Sequence, residues 1–142
     1  MGVKTVQIKK IILITSLLFS GLAFSASNDV VVTGIHSVYD GDTFRAFLPP
    51  HNKESQRVRL RGVDTPEIKG QCKSESDNAI RARDFVRLYL SRAKLIELKS
   101  VGRDKYKRVL ADVHVDGVNL AQVLINNKLG RKWRGRRENW CD

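Results

Sequence analysis

Metal-binding side chains of the soft kind are scarce in this chain of 142 residues, which holds two cysteines and three histidines. Cys72 and Cys141 stand far apart, form no CxxC pair and have no histidine at zinc spacing nearby, which excludes a zinc-finger-type centre. His36, His51 and His114 share no ligand spacing either and read as structural or exposed. Internal repeats and interdomain linkers are also absent, and the length suffices for one core but not for two ordinary domains. Acids are outnumbered, 15 against 26 lysines and arginines, for a formal charge of +11. Because 42% of the residues are hydrophobic, this is a folded basic protein and not a disordered cationic tail. Its charge favours a polyanion: nucleic acid, anionic lipid or acidic polysaccharide.

The apolar stretch Ile11 to Phe24 follows Lys4, Lys9 and Lys10 and ends in LAFSAS. It is short for a spanning helix and is weakened by Thr15, Ser16, Ser20 and Gly21. Ala23 and Ser25 suit the small-residue positions of a signal peptidase site, so residues 1–25 are expected to be a signal peptide cleaved between Ser25 and Ala26. Residues 26–142 then form a single domain with a basic C-terminal tail, exported to a periplasm or released. In an oxidising compartment the two cysteines read as a disulfide, Cys72–Cys141, tying the tail to the loop after DTPE, with two free thiols as the alternative. Closing so long a loop would stabilise by roughly 3–5 kcal/mol in the chain-entropy model.

Strands are expected over 30–39, 43–48, 56–63, 95–101 and 108–115, from β-branched content and alternation. DGD (40–42), HNKES (51–55) and GRDKYK (102–107) read as turns or loops. In QRVRLRGV, Val58, Leu60 and Gly62 share one face and Arg57, Arg59 and Arg61 the other. A helix over 75–92 is predicted behind a Ser74–Asp77 capping box, with Ala79, Ala82, Val86 and Tyr89 inward and Arg81, Arg83, Arg87 and Arg92 on a solvated face. A short helix over 119–127 is capped by Asn119. The order β-β-β-α-β-β-α fits a five-stranded barrel with helices at its side and end, and equally an open α+β sheet.

YDGDT, VRLRGVDTPE and DKYKR hold the charge of chemical interest. The first is no complete EF-hand loop, since Arg45 stands where the turn glycine belongs and His51 where the bidentate Glu belongs. Asp42 and Asp64 offer hard oxygen ligands of the kind Ca²⁺ or Mg²⁺ takes, and Glu67 is near enough to address water beside such an ion. Arg59 and Arg108 carry planar five-donor forks suited to phosphate oxygens. Together these form a sufficient kit for hydrolysing a phosphodiester.

DGDT, RLRGVDTPE and DKYKRVLADVHVDG, in that order, resemble the staphylococcal nuclease-like (thermonuclease) family over roughly residues 30 to 130. The resemblance implies a mainly β, α+β fold: a five-stranded OB-type β-barrel with two flanking helices. It also implies a nuclease that binds one Ca²⁺ and cleaves DNA and RNA to 3′-phosphate and 5′-hydroxyl ends. By that resemblance Asp42, Asp64 and the backbone carbonyl of Thr65 are the protein's calcium ligands, and Asp40 is an outer-shell carboxylate. Glu67 takes the general-base position, Arg59 and Arg108 the phosphate positions, and Tyr106 lines the nucleotide pocket. Lys107 departs from the pattern, standing where the family often has Gly between Tyr and Arg. The paired tyrosines of the best-known member have no obvious match; Trp133 is a candidate in their place, with core or rim packing the favoured alternative for it. The C-terminal helix of that member is missing too, and a tail pinned by Cys141 is expected to replace it.

The expected protein is thus a monomeric exported nuclease whose partners are its DNA and RNA substrates. A non-catalytic OB-type nucleic-acid-binding module shares the barrel and the charge, and a cationic protein aimed at anionic envelope surfaces shares the charge. Neither makes use of carboxylates that would face phosphates and repel them.

Overall fold

A computed structural model of the protein describes residue 2 and residues 28–141. The expected signal peptide, with its cleavage site between Ser25 and Ala26, lies outside the described residues. In chain order the elements are β1 (Val30–Val31), β2 (Gly34–Val38), β3 (Thr43–Leu48), β4 (His51–Leu60) and β5 (Val63–Asp64). Helix α1 (Lys73–Ser91) follows, then β6 (Ile96–Arg103), β7 (Val109–Val115), β8 (Val118–Asn119), α2 (Leu120–Asn126) and β9 (Arg131–Lys132).

The main sheet runs β1-β6-β7-β4-β3-β2, with β8 on β7. The pair β4–β7 is parallel, and the others in that path are antiparallel. β1 and β2 are two halves of one extended segment on opposite edges of this path. Val32 N–H donates to the Ile96 carbonyl (2.9 Å) and Thr33 N–H to the Phe47 carbonyl (3.0 Å), so the segment bends the sheet round on itself. Counted as one strand, it joins β3, β4, β6 and β7 to give a curled five-stranded sheet with two helices, an OB-type α+β fold.

Period-two alternation fills the interior. Phe44, Ala46 and Leu48 of β3 and Val109, Ala111, Val113 and Val115 of β7 point inward and are buried. Val58 and Leu60 of β4, Leu98 of β6, Val86 and Leu90 of α1, and Leu120 and Leu124 of α2 complete the core. On α1 the buried stripe is Ala79, Ala82, Val86 and Leu90, while Tyr89 is half-buried and stacks on Phe85.

Several boundaries differ from the sequence reading. HNKES is strand, not loop: Leu48 faces His51 across a tight hairpin, and the polar end of β4 is held by the backbone ladder and by Arg45 Nε donating to Ser55 Oγ (3.1 Å). β4 stops at Leu60, because Gly62 takes a left-handed turn (φ 81°) and so leaves the strand's inward face. The capping box is absent as well. Cys72 is the N-cap of α1 and makes no side-chain cap bond, while Asp77 pairs with Lys73 inside the helix. Asn119 does cap α2, its Oδ1 accepting the Gln122 N–H.

Candidate active site

The Asp40–Asp42 loop is seated where a side chain at position 41 would not fit. A Cβ on Gly41 would stand 2.9 Å from both Ala82 Cβ and Thr65 Cγ2, so glycine lets the loop press against α1 and the β5 end. The Asp42 carbonyl accepts the Leu60 N–H (2.8 Å), and Thr43 faces Arg59 across the β3–β4 ladder. This register sets Arg59 Nη1 2.9 Å from Asp42 Oδ2, and the same nitrogen donates to the Leu60 carbonyl (3.0 Å). Asp42 Oδ2 also accepts from Thr65 N–H (3.1 Å) and Thr65 Oγ1 (2.9 Å), and Oδ1 accepts from Thr43 Oγ1 (3.0 Å). Asp40 Oδ1 accepts the Asp42 N–H at 3.1 Å.

Asp64 is presented by the small β5–β9 pair, in which it faces Arg131. Its Oδ2 accepts the backbone N–H of Glu138 (3.1 Å) and the indole N–H of Trp140 (2.9 Å). Glu67 Oε1 is 2.6 Å from Arg137 Nη1, and Arg137 Nη2 pairs with Glu75. Glu75 is a buried carboxylate that the sequence reading did not single out. It accepts N–H bonds from Gln71 (2.8 Å) and Glu67 (3.2 Å), and the loop between them closes on it with Gly70 against its side chain. Burial alone would raise the Glu75 carboxyl, but those two N–H donors and Arg137 hold it below its ordinary value. Arg137, Glu138 and Trp140 were also missed; a Cys72–Cys141 bond was the one signal that could have placed them here. The structure contains that bond.

Arg108 enters from the 104–108 turn. Asp104 Oδ1 accepts the backbone N–H of Tyr106 and of Arg108, both at 2.9 Å, and Oδ2 accepts Arg108 Nε at 2.7 Å. Burial opposes the Asp104 charge, yet these Arg108 bonds hold its carboxyl below the ordinary value. Arg108 Nη1 reaches Thr43 Oγ1 at 3.4 Å. Lys107 does adopt the left-handed backbone (φ 62°) that its unusual position demands, and the turn still closes, with Lys107 N–H donating to the Asp104 carbonyl (2.9 Å).

Two open cavities share Arg59, Arg108, Trp133 and Arg137. The more polar one, about 360 Å³, is lined in addition by Asp40, Asp42, Asp64 and Glu67. The other, about 460 Å³, adds Tyr106, Arg61 and Leu110. Every side chain singled out from the sequence for catalysis, metal or substrate therefore lines one of the two, and Thr65 sits behind Asp42. Tyr106 is exposed and lies under the Arg108 guanidinium, 5.4 Å from ring centre to Cζ. Arg61, unassigned from sequence, is spent on structure: its Nη2 donates to the carbonyls of Ser100 (2.7 Å) and Leu110 (3.1 Å).

Asp40, Asp42 and Asp64 are only 4%, 5% and 3% exposed. Burial, and then the neighbouring Asp42 charge, push the Asp40 carboxyl up to about 8. The buried oxygen donors of Asp40, Asp42 and Asp64 are of the hard kind that a divalent cation of the Ca²⁺ or Mg²⁺ type takes. Among the described residues, Asp40, Asp42 and Asp64 stand farther apart than Cys72, Glu75 and Cys141, the one group of three metal-ligating side chains with ligand-type atoms within 4.8 Å of one another. Its two sulfurs are bonded to each other and Glu75 is paired with Arg137, so it offers no ligand set.

Residues 57–139 match a family model described as staphylococcal nuclease homologue. The matched span includes Arg59, Asp64, Thr65, Glu67, Tyr106 and Arg108. A probable staphylococcal-like nuclease, CAN4, of Oryza sativa subsp. japonica is 34% identical over 76 residues, covering 54% of this chain and 14% of that protein. Endonuclease YncB of Bacillus subtilis (strain 168) is 33% identical over 94 residues, covering 65% of this chain and 43% of that protein. The chain thus spans less than half the length of these curated relatives.

Proposed function

This chain belongs to the staphylococcal nuclease homologue family, and on that premise we propose that it is an exported, calcium-dependent nuclease that hydrolyses phosphodiester bonds of DNA and RNA. The observation that carries this reading is the polar cavity, in which the carboxylates of Asp40, Asp42, Asp64 and Glu67 share one space with Arg59 and Arg108. A protein that only bound phosphates would gain nothing from Asp40, Asp42, Asp64 and Glu67, which repel them.

Asp42, Asp64 and the Thr65 carbonyl would hold one Ca²⁺, with Asp40 beyond them. A bound Ca²⁺ supplies positive charge that polarises a phosphoryl oxygen. Among the described residues, Arg59 spends only Nη1, on Asp42 and Leu60, and Arg108 Nη2 takes no part in the bonds to Asp104 and Thr43, so both keep N–H donors for phosphate oxygens. These donors stabilise the charge that grows on the oxygens as water adds to phosphorus. Glu67 accepts or orients the proton of that water through its carboxylate, one oxygen of which Arg137 steadies. The P–O5′ bond breaks, the 5′ oxygen takes a proton, and a 3′-phosphate remains. Tyr106 and Trp133 offer aromatic faces for the adjoining base, a contact that tolerates any sequence.

Nicking of plasmid DNA and degradation of single-stranded RNA by the purified protein, in calcium, magnesium or chelator, test this reading. Cleavage of both in calcium, with 3′-phosphate ends, is expected. Binding without cleavage under every divalent ion would make the protein a non-catalytic binder.

A further inference from the structure

Residues 137–141 form a strap over the carboxylate end of the polar cavity. Cys141 is bonded to Cys72, and its backbone N–H donates to Asn139 Oδ1 (3.1 Å). Arg131 Nη1 donates to the Asn139 carbonyl (2.7 Å), and the Arg131 guanidinium covers the Trp140 ring at 4.2 Å from its centre. Arg137 bridges Glu67 and Glu75. Between these fastenings, two N–H donors converge on one oxygen: the Glu138 amide and the Trp140 indole both reach Asp64 Oδ2.

An indole N–H donates in one direction and accepts nothing, and its ring here is pinned from above by Arg131. A carboxylate with two such donors on one oxygen is held against rotation. Asp64 still lines the cavity, and among the described residues Oδ1 accepts no hydrogen bond. The strap therefore occupies one oxygen of Asp64 and leaves the other without a partner among the described residues. Packing alone would be served by a ring without an N–H, since stacking on Arg131 needs only the aromatic face.

From this convergence we propose that Trp140 is a positioning residue, aiming Asp64 as a one-oxygen ligand of the divalent cation, and that the Cys72–Cys141 disulfide anchors it there. The inference rests on the reading of Asp64 as a cation ligand. Partners of this outer kind typically change metal affinity by about 10–100-fold when removed.

Calorimetric titration with calcium chloride, on the full chain with its disulfide formed, tests both levels. Trp140→Phe keeps an aromatic face for Arg131 and loses the N–H, and should weaken calcium binding about tenfold or more. Its affinity for a single-stranded oligonucleotide, measured in chelator, should stay within about twofold, because that contact does not pass through Asp64. Asp64→Asn should abolish calcium binding. If Asp64→Asn binds calcium as the parent does, or the parent binds none, the cation-site reading fails and the inference with it. If Asp64→Asn loses calcium while Trp140→Phe is unchanged or binds more tightly, the strap inference alone is overturned. The double variant Cys72→Ser/Cys141→Ser keeps both donors and releases their anchor, so it should weaken calcium binding in the same way even if Trp140→Phe does not fold. Unaltered calcium affinity in that variant would refute the anchoring role.

Discussion

Arg59 Nη1 and Asp42 Oδ2 are 2.9 Å apart, so the proposed phosphate clamp and the proposed cation ligand are in direct contact. Both side chains are largely buried, and Thr65 donates to the same carboxylate oxygen. Each group therefore orients the other.

Arg59→Lys should expose that dependence. A lysine ammonium lacks the planar fork that serves Asp42, the Leu60 carbonyl and a phosphate oxygen together. The turnover rate in calcium should fall on the order of 10²–10³-fold, as for loss of one preorganised transition-state donor. Steady-state kinetics on a short DNA check this; an unchanged turnover rate would contradict it.

Lys107→Gly should stabilise the protein. A left-handed backbone costs an ordinary residue roughly 1–2 kcal/mol, and glycine gives back roughly 0.5–1 kcal/mol in chain entropy. The net gain expected at φ 62° is about 0.5–1 kcal/mol, read from the midpoint of urea unfolding. A loss of stability would mean that the lysine side chain contributes more than the strain removes.

The Glu75 carboxyl sets an acid limit on the strap. It is buried, and its N–H donors and Arg137 hold it below the ordinary value of 4.5. A carboxyl lower in the folded than in the unfolded chain stabilises the fold above the unfolded value, and that share is lost as pH falls through the folded value. The melting temperature should therefore drop below about pH 4.5. In Glu75→Gln the drop should be smaller, starting from a less stable protein at neutral pH. Parallel pH profiles in the two proteins would contradict this.

Oligonucleotide binding should weaken steeply with salt. Each phosphate contact to a single strand contributes a slope of about −0.7 in log affinity against log salt, so contacts through Arg59, Arg108 and the neighbouring basic residues imply a slope of about −2 or steeper. Anisotropy titrations across salt concentrations measure it. A flat response would argue against phosphate recognition.

Much of the frame is legible in local patterns. Phe44, Ala46 and Leu48, and the valines of β7, all fall on the inward face that the alternation in their strands implies. HNKES was misread because its residues carry no apolar period and its strand rests on backbone pairing alone. The capping box failed because Ser74 falls inside a helix that begins at Lys73, and Glu75, not Asp77, gathers the nearby N–H donors. Asp42, Asp64, Glu67, Arg59 and Arg108 were readable as three ordered motifs. The strap was not, since Trp140 meets Asp64 across 76 positions and Arg137 meets Glu67 across 70. No local pattern encodes such contacts; only the pairing of Cys72 with Cys141 hinted that the tail returns to the site.

The central claim is that Asp42 and its neighbours hold a cation that cleavage requires. Its most direct test is the rate of cleavage of a single-stranded DNA against calcium concentration, for the parent and for Asp42→Ala. The parent should cleave in proportion to calcium occupancy and stop in chelator, and Asp42→Ala should lose about 10²-fold or more at any calcium concentration. Cleavage at full rate in chelator, or by Asp42→Ala, would contradict it.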